Sequence, residues 1–356
     1  MAQARQLPPM RNFVLAGLFV AALFVVLVLR LPEAPRAHEW TVTGPAFGTT
    51  FTVKVIAEDD EAEVRSRIAA KIREEVEAVD LAMSTYRSDS EIVAFNSHGV
   101  EDFRASAAML EVVAEAQRVA RLSGGAFDIT VGPLVDAWGF GPAGLMEVPN
   151  QQTLLELLSI TGYEQIELDS DAGLLRKRRP ESRIDLSAIA KGYSVDRVAA
   201  AFIRAGLERF MIEIGGEVTA RGRNAAGGVW RIGIERPDAD GRAVHVAVPL
   251  ENLSLATSGD YRNFIERDGQ RLSHTIDPRT GRPITHNLAS VSVIHASCMT
   301  ADALATALEV LGPDEGFTLA EELDLPALFL VRAAEGHFEE RPSSVWGALV
   351  ENPERS

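Results

Sequence analysis

Apolar and polar positions alternate through TFTVKVIA, Thr50–Ala57, which predicts a half-buried strand. The period then changes. From Glu61 to Ala82 the apolar residues Ile68, Ile72, Val76 and Val79 recur on one face of a helix. A second helix is predicted over Ala105–Leu122, ended by Ser123-Gly124-Gly125, and a third over Lys191–Ala205, ended by Gly206. RFMIEIGGEVTARG reads as strand, glycine break, strand, and WRIGIERP and HVAVPL add further strands. Thr300–Leu311 reads as a helix closed by Gly312-Pro313. Strands come in hairpin-like runs as well as beside helices. That pattern predicts an α+β fold rather than a regular βαβ alternation.

The N-terminus follows a different rule. Arg5 and Arg11 precede an uncharged apolar run, Phe13–Leu29, which Arg30 and LPEAPRAHEW end. Its length is near the lower limit for spanning a bilayer, and no A-x-A site follows it. The expected organisation is a cytoplasmic segment at 1–12, a membrane anchor or signal segment at 13–31, a Pro-containing linker at 32–38, and one large domain at 39–356. Basic residues ahead of the run keep the N-terminus in the cytoplasm. The expected localisation is therefore the inner membrane, with the domain on the periplasmic side.

Composition narrows the function classes. The formal net charge of −16 disfavours general nucleic-acid binding, because a phosphate backbone wants a basic face. The one dense basic run, Arg176-Lys177-Arg178-Arg179, follows a strand and turn and reads as a solvated hairpin arm. A single cysteine, Cys298, rules out an intramolecular disulfide and a cysteine-rich metal site. Its setting predicts burial where a strand meets a helix.

Five segments, four of them glycine-bearing, carry the candidate chemistry. They are AFGTTF (46–51), DLAMSTYRSDSEIVAFN (80–96), SGGAFDITVGPLVDAWGFGP (123–142), IDLSAIAKGYSVD (184–196), and SGDYRNF (258–264) taken with GQRLSHTIDPRTGRPI (269–284). In the last, His274 and Asp277 flank Thr275-Ile276 at the mouth of a tight turn. They either satisfy the turn's backbone donors or face a substrate. Asp302 and Thr306 lie four residues apart, on one face near a helix N-terminus. That pair reads either as oxygen ligands for a hard divalent cation or as a first-turn acid beside a core threonine. Asp185 can cap the helix that contains Lys191.

Taken in order, FGTTF, MSTYRSDSEI, GGAFDITVGPL, DLSAIAKGYSVD, IEIGGE, TSGDYRNF, HTIDPRTGRPI and ADALATAL make the chain resemble the ApbE family of FAD:protein FMN transferases from about Ala46 to Gly316. The family's fuller pattern has Met where Phe47 stands and commonly Gly where Ser187 stands; neither change removes a chemical group. The resemblance implies a T-fold-like α+β architecture, FAD as substrate and Mg2+ as cofactor. It implies transfer of the FMN half of FAD to a Thr or Ser hydroxyl of a membrane or periplasmic electron-transport protein carrying a Ser/Thr-Gly-Ala-Thr-like motif, with release of AMP. It further implies that Phe47, Tyr86, Ala126, Phe127, Asp128, Asp185, Lys191, Thr275 and Ile276 contact FAD. Asp302, Thr306 and the backbone carbonyl of Ala188 would hold the metal. His274 would take the proton of the acceptor hydroxyl, with Asp277 organising the turn. Two other readings use the same residues: a metal-dependent FAD pyrophosphatase giving FMN and AMP, and a non-catalytic flavin carrier or assembly protein.

Overall fold

The computed structural model describes residues 38–351, apart from 59–60, 142–143, 145–147, 238–242, 261–263, 268–269 and 334–335. The expected anchor and the linker up to Ala37 therefore lie outside the described residues, as do Tyr261, Arg262 and Asn263 of SGDYRNF, whereas His38, expected in the linker, already belongs to a strand. Among the described residues, no helix is long and apolar enough to cross a membrane.

Eight strands form one sheet. They are β1 (His38–Ala46), β2 (Thr49–Ala57), β3 (Phe210–Ile214), β4 (Glu217–Arg221), β5 (Leu253–Gly259), β6 (Leu288–His295), β7 (Ala327–Arg332) and β8 (Phe338–Pro342). They lie side by side in chain order, and every neighbouring pair is antiparallel. Four longer helices accompany them: α1 (Glu61–Met83), α2 (Ala107–Leu122), α3 (Ser187–Arg204) and α4 (Cys298–Glu322). The observed class is the expected α+β.

Strand alternation sends side chains to both faces of the sheet. Val53, Val55, Phe210 and Ile212 pack with Ile68 and Ile72 of α1 and Val198 and Phe202 of α3. Ala256, Val291, Val293 and Phe329 pack with α2 and α4. On the opposite face, Val218, Ala220, Leu255 and Ile294 pack under Trp230, Ile232, Val248 and Trp346. Those residues come from the hairpin Trp230–Glu235/Val244–Leu250 and the short helix Ser344–Glu351. Ile68 and Ile72 are fully buried, as their spacing predicts.

Three expectations change in detail. Helix α3 begins at Ser187, four residues before Lys191, because Asp185 accepts a hydrogen bond from the Ser187 N–H at 2.8 Å and starts the helix early. Helix α4 leaves helical geometry at Gly312 (φ 82°, ψ −174°) but resumes and runs on to Glu322. Pro313 can open a helical turn because it needs no acceptor for an N–H. The basic run is not wholly a solvated arm. Arg176, Arg178 and Arg179 are exposed, but Lys177 is only 1% exposed. Its ammonium donates to the carbonyls of Asn96 and His98 at 2.8 and 2.9 Å, and so closes the end of the short helix Glu91–Ser97.

Candidate functional site

Two hairpin turns lie at one end of the sheet. Phe47-Gly48 joins β1 to β2, and Gly215-Gly216 joins β3 to β4; all four residues have positive φ. Such two-residue turns match the twist of the strands they join. Glycine does this without strain, but Phe47 at φ 50° does not. A bulky residue there costs on the order of 1–3 kcal/mol, and such strain gathers where function demands it. Phe47 is held by packing against both helix-side cores. The turns touch: the Gly215 N–H donates to the Thr50 carbonyl at 3.0 Å.

Beneath them α3 crosses α4. A Cβ on Gly192 would lie 2.4 Å from the Cys298 carbonyl oxygen and 2.8 Å from the Asp302 Cβ, so only glycine permits this approach. The Gly192 N–H donates to Asp302 Oδ2 at 3.0 Å. In an α-helix that N–H also points along the carbonyl four residues back, that of Ala188. The crossing thus brings the Asp302 carboxylate to the Gly192 N–H of α3, with Thr306 half-buried one turn further along α4. Asp196, also on α3, fixes the start of α4 by accepting from the Ser297 hydroxyl and the Cys298 and Met299 N–H groups at 2.7, 2.9 and 3.0 Å.

Charge completes this corner. The Lys191 ammonium lies 2.5 Å from Glu217 Oε1, the first residue of β4. Burial pulls the ammonium down, but Glu217 and Asp302 outweigh it and hold the pKa above its ordinary value. Burial pushes both carboxyls up, and Asp302 adds to the effect on Glu217. Two buried carboxyls share one ammonium, so the corner has excess negative charge when both are ionised. Hard oxygen donors, an excess of negative charge and a crossing that a Cβ would fill suit a magnesium ion.

The remaining predicted residues gather around a second loop. Ala126 and Phe127 are 1% and 2% exposed, and their side chains belong to the core, so this loop offers a ligand its backbone. Asp128 is buried and opens a short 3-10 turn, accepting from the Thr130 N–H and hydroxyl at 2.8 and 2.6 Å. Burial pushes its carboxyl up to about 6 against those hydrogen bonds. The loop reaches Asp185, whose N–H donates to the Ile129 carbonyl at 2.7 Å. It also reaches the catalytic-candidate turn, since Gly125 faces the Arg279 stem. In that turn Asp277 accepts from the Arg279 N–H at 2.9 Å and pairs with its guanidinium at 3.0 Å, while the Asp277 carbonyl accepts from the Gly281 N–H at 2.8 Å. Asp277 therefore organises the turn, as expected. Ile276 is buried beside Leu134, Trp138 and Leu154, whereas His274 and Thr275 are half-buried. Phe140 meets the His274 ring edge-to-face at 6.4 Å. Tyr86 has 78% of its surface exposed.

Sequence reasoning gave no role to Glu217, Asn96 or Asp196. Asn96 clamps the Ile184 backbone with two hydrogen bonds of 2.8 Å, one residue before Asp185. All three lie within the quoted segments, and an acid directly after Gly-Gly was the available signal for Glu217.

An antiparallel sheet with strained and glycine turns over a buried acid–lysine corner defines an α+β protein. The chain belongs to the ApbE family, whose pattern matches residues 47–329. It is 44% identical over 328 residues to the FAD:protein FMN transferase of Vibrio cholerae, covering 92% of this chain and 97% of that one. Among solved structures it resembles the flavin transferase ApbE from Vibrio cholerae, with a TM-score of 0.79, 42% identity, and coverage of 88% of this chain and 99% of that one. It also resembles the flavinyl transferase ApbE of Pseudomonas stutzeri in its apo form, with a TM-score of 0.80, 37% identity, and coverage of 88% and 97%.

Proposed function

We propose that this chain is an FAD:protein FMN transferase that moves the FMN half of FAD to a Thr or Ser hydroxyl of a partner electron-transport protein. The approach of the Asp302 carboxylate to the Gly192 N–H, with the Lys191 ammonium nearby, at the α3–α4 crossing carries this reading. Family membership and the transferase names of the relatives support it.

In this reading FAD lies with its pyrophosphate at the corner and its rings toward Phe47 and Tyr86. Lys191 supplies positive charge to phosphate oxygens, and the backbone at Ala126–Asp128, with Asp185, Thr275 and Ile276, lines the remainder. Asp302, Thr306 and the Ala188 carbonyl would hold magnesium. When bound, the ion would supply Lewis-acid stabilisation of charge on the pyrophosphate oxygens. The acceptor hydroxyl oxygen attacks the flavin-side phosphorus. A new P–O ester bond forms as the bond from that phosphorus to the bridging oxygen breaks, and AMP leaves with the electron pair. His274 takes the hydroxyl proton. Histidine suits this role because its ordinary pKa is close to neutrality. The apolar N-terminal run, with Arg5 and Arg11 ahead of it, supports a domain outside the inner membrane, where such acceptors would be met.

The test is incubation with FAD, magnesium and an acceptor protein carrying a Ser/Thr-Gly-Ala-Thr-like motif, followed by intact-mass analysis. The acceptor should gain one FMN group, one AMP should appear per transfer, and EDTA should stop both. Free FMN and AMP beside an unmodified acceptor would identify a pyrophosphatase instead. Protease added to spheroplasts should digest the domain; a protected domain would overturn the location.

A further inference from the structure

Lys191 stands between two acids. Its ammonium is held by both Glu217 and Asp302 electrostatically, yet its ion pair at 2.5 Å is with Glu217. Glu217 is 1% exposed and opens β4 directly after the Gly215-Gly216 turn. The turn's shape makes the pairing possible. Gly215 has φ +61°, and a Cβ there would lie 2.8 Å from the Thr49 side chain and 3.3 Å from the Lys191 stem. Without a side chain at 215, the lysine stem runs against the hairpin and delivers its ammonium to the strand rather than to α4. Asp302 is correspondingly left with the neutral Gly192 N–H as its hydrogen-bond donor. The second Glu217 oxygen, Oε2, is buried and has no hydrogen-bond partner.

We propose that Glu217 is a positioning residue that holds the Lys191 ammonium off the Asp302 carboxylate, keeping that carboxylate open for a divalent cation. This rests on the reading of Asp302 as a metal ligand. A lysine and a metal ion compete for a carboxylate, because either charge neutralises it. A second acid that engages the lysine removes the competitor and still leaves ammonium N–H groups for a phosphate oxygen. Loss of the Glu217 charge would release Lys191 toward Asp302, the other carboxylate within its electrostatic reach.

The test is Mn2+ binding to the full chain, followed by loss of the free-ion EPR signal, with thermal unfolding run on each variant. Glu217→Gln keeps the side-chain shape and should weaken Mn2+ binding by about tenfold or more. Glu217→Gln combined with Lys191→Met removes the released competitor and should return binding to within about threefold of wild type. Lys191→Met alone should bind at least as tightly as wild type. Wild-type affinity in Glu217→Gln would overturn the proposal. So would a double variant as weak as Glu217→Gln, which would make Glu217 a ligand or a scaffold residue. Asp302→Asn separates the two levels. If it leaves Mn2+ binding unchanged, the metal reading fails and this inference with it; if it abolishes binding while Glu217→Gln does not weaken it, only this inference fails.

Discussion

Helix α4 carries two buried acids, Asp302 and Glu309, about 10 Å apart along its axis. They differ in their surroundings. Asp302 has a backbone donor and a nearby ammonium. Glu309 is fully buried, and neither of its carboxylate oxygens has a hydrogen-bond partner. Burial pushes its carboxyl well above the ordinary range; Asp260 adds to this, and Arg332 only partly opposes it. Arg332 is already engaged, pairing with Asp260 and donating to the Leu288 carbonyl at 2.9 Å. One helix thus holds an acid that meets a donor and an ammonium and an acid whose oxygens meet no hydrogen-bond partner. Burial alone does not mark a site; what distinguishes them is the set of donors and charges converging on the carboxylate.

The largest expected effect falls at the first acid. Asp302→Ala should nearly abolish FMN transfer while leaving the unfolding temperature in metal-free buffer close to wild type, because it removes a buried charge whose one backbone donor keeps its helical acceptor. Undiminished transfer would show that the two acids do not differ in this way. His274→Ala comes next. It should bind FAD about as well as wild type and transfer FMN on the order of 10²–10⁴ times more slowly. Equal losses in FAD binding and transfer would mark His274 as structural.

Gly192→Ala should act on both levels at once. Its Cβ would meet backbone at the α3–α4 crossing, so one helix must shift. Overpacking of this kind costs about 1–3 kcal/mol. Lower stability together with weaker magnesium dependence would tie the crossing to the metal corner. Lower stability with unchanged magnesium dependence would separate them.

The smallest effect belongs to the second acid. A carboxyl raised by folding contributes stability while protonated and loses it as pH climbs from the unfolded pKa toward the folded one. Stability owed to Glu309 should therefore fall as pH rises above about 4.5. Glu309→Gln cannot ionise, so its unfolding temperature should gain on wild type more at pH 8 than at pH 5, with transfer unchanged. An equal difference at both pH values would show that Glu309 does not titrate with folding.

Much of this architecture can be read from residue order. Period-2 runs place β2, β3 and β4, and Ile68 and Ile72 give the buried face of α1. The turn role of Asp277 follows from its place before Pro278 and Gly281. Long-range geometry is harder to read. Lys177 looks like its three arginine neighbours until the fold brings the carbonyls of Asn96 and His98 to it. Glu217 looks like an exposed strand end until α3 lays Lys191 across it. Asp196 lies within the quoted IDLSAIAKGYSVD segment, but nothing local says that it starts a helix about 100 residues later. Ala126 and Phe127 lie in the expected loop, yet their side chains face the core, a choice set by packing rather than by spacing.

The most direct test of the central claim is the location of a cation in crystals of this protein soaked with Mn2+ and AMP. An anomalous peak is predicted between the Asp302 carboxylate, the Thr306 hydroxyl and the Ala188 carbonyl. A peak instead at the Glu309 end of α4, or none within reach of Asp302, would contradict it.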